Sequence, residues 1–306
     1  MNTNNHTSQL NEIITSASSI ILGKEHKLRL ALTCILAKGH LLIEDLPGVG
    51  KTTLAHTFAK LLGLKFNRIQ FTSDMLPADV LGISIFEQTS QQFSFHPGPI
   101  FSNVLLADEI NRATPKTQSA LLEAMEEQQV TLDGKTRELP TPFFVIATQN
   151  PSEQIGTFEL PESQLDRFLM SISLGYPDAQ AERLLLISDD RREALNNLPA
   201  CLNELQLKEM QEQVQHITTS DALLDYVQAL ISYSRESGLF QYGLSPRAGL
   251  ALLHVSKAWA MLDNRDYVIP EDVQAVLPSV VQHRLHAIDS DAACVFDALL
   301  KDVAIP

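Results

Sequence analysis

Up to about residue 175, short runs of consecutive apolar residues alternate with longer stretches whose apolar residues recur every three or four positions. "HLLIED" (His40 to Asp45), "KFNRIQF", "VLLADE" (Val104 to Glu109), "PFFVIATQN" and "FLMSISL" are the short runs, and they read as buried strands. Between them, "TTLAHTFAKLLG" places Leu54, Phe58, Leu61 and Leu62 at helical spacing and stops at Gly63. "TPKTQSALLEAMEEQ" starts a helix with Thr114 as N-cap and Pro115 in the first position. Strands alternating with helices predict an α/β fold with a mostly parallel sheet covered on both faces.

Two stretches break the rhythm. Residues 83–99 and 129–141 alternate apolar and polar positions about a polar turn, the second at Asp133-Gly134, and read as hairpins. Phe93 and Phe95 in the first either pack the hairpin or grip another protein. After Tyr176-Pro177-Asp178 the pattern becomes helical throughout. The predicted organisation is a polar, disordered tail over 1–9, an α/β domain over 10–177 and a helical domain over 178–306.

Composition narrows the function classes. The net charge of −14 disfavours a phosphate backbone as partner, because counterion release from DNA needs a basic face. Cys34, Cys201 and Cys294 are far apart and without a C-x-x-C pair, which suits buried thiols in a reducing compartment. No basic-then-apolar leader and no apolar run of about 18 residues is visible, so the expectation is a cytoplasmic protein with no direct membrane insertion.

The candidate chemistry begins at "EDLPGVGKTTLA" (Glu44 to Ala55). Its Gly50-Lys51-Thr52 ends the phosphate-loop pattern G-x-x-x-x-G-K-[ST], yet the first glycine of that pattern would fall at Asp45. Pro47, Gly48, Val49, Gly50, Lys51, Thr52 and Thr53 lie between a strand and a helix, where backbone N–H groups cradle phosphates. Lys51 would reach the β- and γ-phosphates, and Thr52 would ligate Mg²⁺. In "VLLADEINRA" a strand delivers Asp108, a second Mg²⁺ ligand through water, and Glu109, which would orient the attacking water. Asn150 ends the fourth strand and either contacts that water and the γ-phosphate or simply forms the turn before Pro151. Arg167 could face a neighbouring subunit's nucleotide, or pair with Asp166 or Glu162. Ser245 and Pro246 start a helix that places Arg247 in the first turn, where the helix dipole disfavours a cation; it is either a lid residue aimed at the γ-phosphate or a solvated arginine. His283 and His286 share a predicted helix face and read as solvated.

Taken together, these residues resemble the MoxR family of AAA+ ATPases from about Ile20 to Leu285. The phrases "LLIEDLPGVGKTTLA", "QFTSDMLPADVLG", "LLADEINRATPKTQSALLEAMEEQQVT", "LPESQLDRF", "SPRAGLAL" and "DYVIPEDVQ" carry the resemblance. An acidic residue at Asp45 is frequent in that family. The resemblance implies a five-stranded αβα nucleotide domain with a C-terminal helical lid. It makes residues 83–99 the helix-2 insert, 129–141 the pre-sensor-1 hairpin, Asn150 sensor 1, Arg167 the arginine finger and Arg247 sensor 2. It also places Ile21 and Gly23 at the adenine. It further implies ATP or ADP and Mg²⁺ as ligands and a ring, typically of six copies. The function implied is ATP-driven remodelling or maturation of a client protein complex, often with a von Willebrand A-type partner. A magnesium-chelatase-like subunit, a nucleic-acid motor and a nucleotide-gated scaffold with little turnover are the rival readings; nucleic acid is not the expected partner.

Overall fold

The computed structural model describes residues 3–150, 156–187, 191–288 and 298–305; Pro151 and Cys294 lie outside them. The chain opens with α1 (Thr3–Ile20) and α2 (Glu25–Leu36), then β1 (Leu41–Glu44), α3 (Lys51–Leu61), β2 (Phe66–Gln70) and the short α4 (Pro77–Leu81). A hairpin of β3 (Gly82–Glu87) and β4 (Gln92–Pro97) follows. Next come β5 (Val104–Asp108), a 3-10 turn at Ile110–Arg112, α5 (Pro115–Glu127) and a second hairpin of β6 (Gln129–Leu132) and β7 (Lys135–Glu138). The sheet is completed by β8 (Phe144–Gln149), the short α6 (Glu162–Leu165) and β9 (Met170–Ile172). The remainder is helical: α7 (Ala179–Ile187), α8 (Arg191–Asn196), α9 (Glu204–His216), α10 (Asp221–Glu236), α11 (Pro246–Leu262) and α12 (Pro270–Val281).

The five expected strands form one sheet in the order β2-β5-β8-β1-β9, and every adjacent pair is parallel. Because successive side chains on a strand point to opposite faces, each strand feeds two cores. Leu41, Ile43, Val104, Leu106, Phe144, Ile146, Met170 and Ile172 join a cluster with α1, α2 and α3. Leu42, Leu105, Ala107, Val145 and Ala147 join a second cluster with Leu121, Leu122 and Met125 of α5. Parallel strands covered on both faces run apolar end to end, so their first polar residues fall at the carboxyl edge.

The N-terminal segment differs from the expected disordered tail. It is helical from Thr3, and His6, Leu10, Ile13, Ile14 and Ala17 are buried. These positions recur at helical spacing, so the segment pays for its order by covering apolar surface on α2, α3 and α11. The composition change near residue 177 therefore separates element types without separating cores: the first cluster runs on through Leu207, Tyr226, Leu252, Val273 and Leu299 of the lid.

Both hairpins occur where expected. Asp133 and Gly134 have φ of 53° and 71°, the paired left-handed conformation that a tight two-residue turn needs. Phe95 packs, lying edge-on to Phe101 and under the Arg137 guanidinium at 3.8 Å, which joins the two hairpins. Phe93 instead is 72% exposed and contacts Phe86 edge-on.

The expected solvated pair of histidines is also corrected. Both lie beyond the end of α12, and only His286 is exposed. His283 is buried with Nε2 2.9 Å from the Phe168 carbonyl, and the neighbouring Arg284 binds Asp166 Oδ1 at 2.7 Å and the Phe168 carbonyl at 2.7 Å. The lid is thereby fastened to the start of β9. Burial pushes the His283 imidazole down to about 3, and it pushes His40, which accepts the Val145 N–H at 3.0 Å, down to about 4.

Since both folded values lie below the ordinary 6.5, the unfolded chain binds more protons between them, and stability is lost as pH falls. The loss begins near pH 6.5 and levels off below about pH 4 for His40 and about pH 3 for His283. At pH 5 each histidine should cost on the order of 1–2 kcal/mol relative to pH 7.5. Urea unfolding at both pH values checks this, and His283→Gln should shrink the difference between them.

Candidate nucleotide site

The carboxyl ends of β1, β5 and β8 open on a cavity of about 350 Å³ lined by Pro47, Gly48, Gly50, Lys51, Thr52, Thr53, Arg68, Gln70, Asp108, Glu109 and Asn150. Gly48 and Gly50 have φ of 88° and 97°, and a Cβ at either would meet nothing within 4 Å. Glycine is needed there for the left-handed turn, and the space in front of it is open. The turn ends at Gly50 as N-cap of α3. Lys51 is the first residue of that helix, so its side chain starts beside the helix's free N–H groups.

Lys51 is 8% exposed; its Nζ donates to the Asp45 carbonyl at 2.7 Å and to Asn150 Oδ1 at 3.3 Å. Burial lowers its pKa from the usual lysine value, while Asp108, Asp45 and Glu109 oppose the shift. The cavity thus keeps a poorly hydrated cation facing open space, which favours an anion with several oxygens.

Asp108 and Glu109 are held differently. Asp108 Oδ1 accepts from the Thr148 hydroxyl at 2.6 Å, and Oδ2 accepts from Arg68 at 2.7 Å. The Thr148 hydroxyl in turn accepts the Glu109 N–H at 2.8 Å. Glu109 has φ 56°, a conformation that costs a non-glycine residue on the order of 1 kcal/mol and marks functional positions. Its Oε1 accepts from Asn150 Nδ2 at 3.1 Å, and its Oε2 accepts from Gln70 at 2.7 Å and pairs with Arg112 at 3.0 Å. Asn150 therefore bridges Lys51 and Glu109 through its two amide ends.

Arg68, Gln70, Arg112 and Thr148 were not among the residues expected at the site. The available signal is period-two: Arg68 and Gln70 alternate along β2, whose Gln70 is in register with Asp108. Ile21 and Gly23, expected at the adenine, do not line this cavity. Ile21 is in the core, and a Cβ on Gly23 would come within 3.2 Å of Asp178 and Ala181.

Neither Arg167 nor Arg247 lines it either. They meet at a separate cavity of about 280 Å³, where Glu126 Oε2 pairs with Arg167 at 3.1 Å and Oε1 with Arg247 at 3.2 Å. Arg167 thus takes neither Asp166 nor Glu162 as its partner. Ser245 caps α11 by accepting the Ala248 N–H at 3.1 Å, as expected. The Glu126 carboxylate, in the last turn of α5, offsets the unfavourable dipole at Arg247. Among the described residues no cluster of His, Cys, Asp or Glu suited to a metal occurs, and no helix is long and apolar enough to cross a membrane.

Residues 40–170 match the family model described as the ATPase family associated with various cellular activities, and residues 232–295 match an AAA lid domain. The chain is 44% identical over 276 residues to YeaC of Bacillus subtilis, covering 90% of this chain and 86% of the relative. It is 38% identical to Chaperone MoxR1 of Mycobacterium tuberculosis, covering 97% and 82%. A crystal structure from Cytophaga hutchinsonii, assigned as an ATPase, superposes with a TM-score of 0.88 at 36% identity over 99% of this chain and 97% of that one. By these matches the chain belongs to the MoxR family of AAA+ ATPases.

Proposed function

We propose that this chain binds ATP with Mg²⁺ in the Lys51 cavity, hydrolyses it between neighbouring copies of a ring, and uses the cycle to remodel or mature a protein partner. The observation that carries this reading is the convergence of Lys51, Thr52, Asp108, Glu109 and Asn150 on one cavity. The phosphate loop would take the β- and γ-phosphates on its N–H groups and on Lys51. Thr52 and Asp108 supply oxygen donors of the hard kind that Mg²⁺ takes, and Asp108's engagement with Thr148 and Arg68 suits contact through water. Held by Thr52 and Asp108, Mg²⁺ would supply positive charge to offset that of the phosphate oxygens.

Glu109 is the group that orients and polarises the attacking water. In this conformation Gln70, Arg112 and Asn150 occupy its oxygens, so part of that network has to release before it engages water. Arg167 and Arg247 sit together away from the chain's own cavity, which supports both serving the nucleotide of the next copy. A closed ring, six copies by family likeness, provides such an interface. The chaperone name of the relative from M. tuberculosis supports a protein client, with a von Willebrand A-type protein as one candidate, and a cytoplasmic setting fits this reading.

Lys51→Ala should abolish binding of a fluorescent ATP analogue. Glu109→Gln should leave that binding within about threefold and cut multiple-turnover phosphate release by on the order of 10² or more. Phosphate release at the parent rate from Glu109→Gln would overturn this mechanism, and rapid binding without turnover in the parent would favour the scaffold reading.

Arginines supplied from a neighbour are worth roughly 10³–10⁵ in rate in related phosphoryl transfers. When Arg167→Ala is titrated into parent protein, activity should fall more than in proportion to the fraction added. Arg247→Ala should behave the same way. Proportional loss with either variant would place that arginine in its own chain's site.

A further inference from the structure

The misfit in the phosphate-loop pattern, Asp45, has a structural reason of its own. It is nearly buried, at 9% exposure, and follows directly on β1. One carboxylate oxygen, Oδ2, accepts three donors from the segment after β9: the Leu174 N–H at 2.6 Å, the Gly175 N–H at 2.8 Å and the Ser173 hydroxyl at 3.2 Å. Oδ1 accepts the Leu46 N–H at 3.1 Å. Consecutive backbone N–H groups converging on one anion form a strong, charge-assisted cradle. The peptide of Asp45 is engaged as well: its N–H donates to the Gln149 carbonyl at 3.3 Å, and its carbonyl accepts from Lys51 Nζ at 2.7 Å.

The segment so held leads straight into the lid. Gly175 turns with φ 63°, and the Tyr176 carbonyl accepts from Lys24 Nζ at 2.6 Å. Within a few residues Asp178 caps the start of α7 by accepting the Ala181 N–H at 2.7 Å. One residue therefore touches, through its carbonyl, the lysine that would meet phosphate, and through its carboxylate, the entry to the lid. A glycine at this position, as the general loop pattern has it, would leave the Leu174 and Gly175 N–H groups without that anion.

We propose that Asp45 is a positioning residue that couples nucleotide occupancy at Lys51 to the lid through residues 173–175. This rests on the Lys51 cavity being the ATP site. Phosphate competes with the Asp45 carbonyl for the Lys51 ammonium. When it wins, the Asp45 peptide is free to shift, and the carboxylate grip on Leu174 and Gly175 loosens. Coupling of this kind needs a contiguous element that both sites bias, and the single residue supplies it.

Hydrogen–deuterium exchange of peptides spanning residues 170–178 tests the coupling in the parent protein. A non-hydrolysable ATP analogue should speed exchange at Leu174 and Gly175 at least about threefold. In Asp45→Gly and Asp45→Asn these amides should exchange fast with or without the analogue. Both variants should bind the analogue within about threefold of the parent while kcat falls about tenfold or more. An amide placed at Asp45 cannot present an acceptor to all the donors now served, so Asp45→Asn tests the same contacts with the side-chain volume kept. Parent exchange that is unchanged or slowed by bound analogue overturns the coupling, even if neither variant folds. Parent-like exchange and turnover in Asp45→Gly overturns it too, and a joint loss of binding and kcat reduces Asp45 to a structural prop. Failure of the parent to bind the analogue at all would instead sink the ATP-site reading itself.

Discussion

A buried ammonium governs the site. Lys51 begins α3 with little access to water, and a lone charge in that position is expensive unless neighbours compensate it. The Asp45 carbonyl, the Asn150 amide oxygen and the fields of Asp108 and Glu109 do so. The compensating groups arrive from three strand ends, Asp45 after β1, Asp108 and Glu109 at the end of β5 and Asn150 after β8, so the cation sits where these strands finish together. The parallel register supplies that edge: Glu44 lies beside Gln149, and Gln70 lies beside Asp108. Buried faces on both sides of the sheet fix this register, because a slip of one residue would exchange the two cores.

Continuity of the first core has a second consequence. α1, α2, the sheet and the lid helices share one apolar cluster, so the lid is packed on the nucleotide domain as well as tethered to it. Polar ties at the same boundary run from Asp45 to residues 173–175, just ahead of the lid, and from Arg284 of the lid to Asp166 and Phe168. Glu126, in the last turn of α5 just before the second hairpin, adds a third by pairing with Arg167 of the core and Arg247 of the lid.

Much of the fold was legible because burial on both faces writes an unmistakable pattern. "HLLIED" and "VLLADE" carry their acidic residues at the end, and those residues lie at or beside the candidate cavity. The N-terminal helix was not legible. Its apolar positions, Leu10, Ile13, Ile14 and Ala17, form a narrow stripe in a polar setting, and only tertiary contact with α2, α3 and α11 makes it pay. His283 failed for the same reason: nothing local in "QHRLH" announces that the Phe168 carbonyl will receive it. At the site, Lys51, Asp108, Glu109 and Asn150 carry motif signals, whereas Arg68, Gln70, Arg112 and Thr148 do not. The latter act by holding the former, and a holding role constrains geometry without prescribing a spacing along the chain.

The position of the two arginines decides what a single chain can do. Lys51, Thr52, Asp108 and Glu109 line one cavity, while Arg167 and Arg247 pair with Glu126 at another. A carboxylate with one oxygen on each arginine holds both guanidinium groups side by side, at a half-exposed place where such pairs are individually weak. Weakness is useful there. On the proposed function, a neighbouring copy presenting phosphate charge would offer each arginine a stronger partner than Glu126, and the exchange would abandon no buried charge. Binding would then be a property of the chain and fast hydrolysis a property of the assembly. Activity would rise with ring formation and not merely with nucleotide concentration.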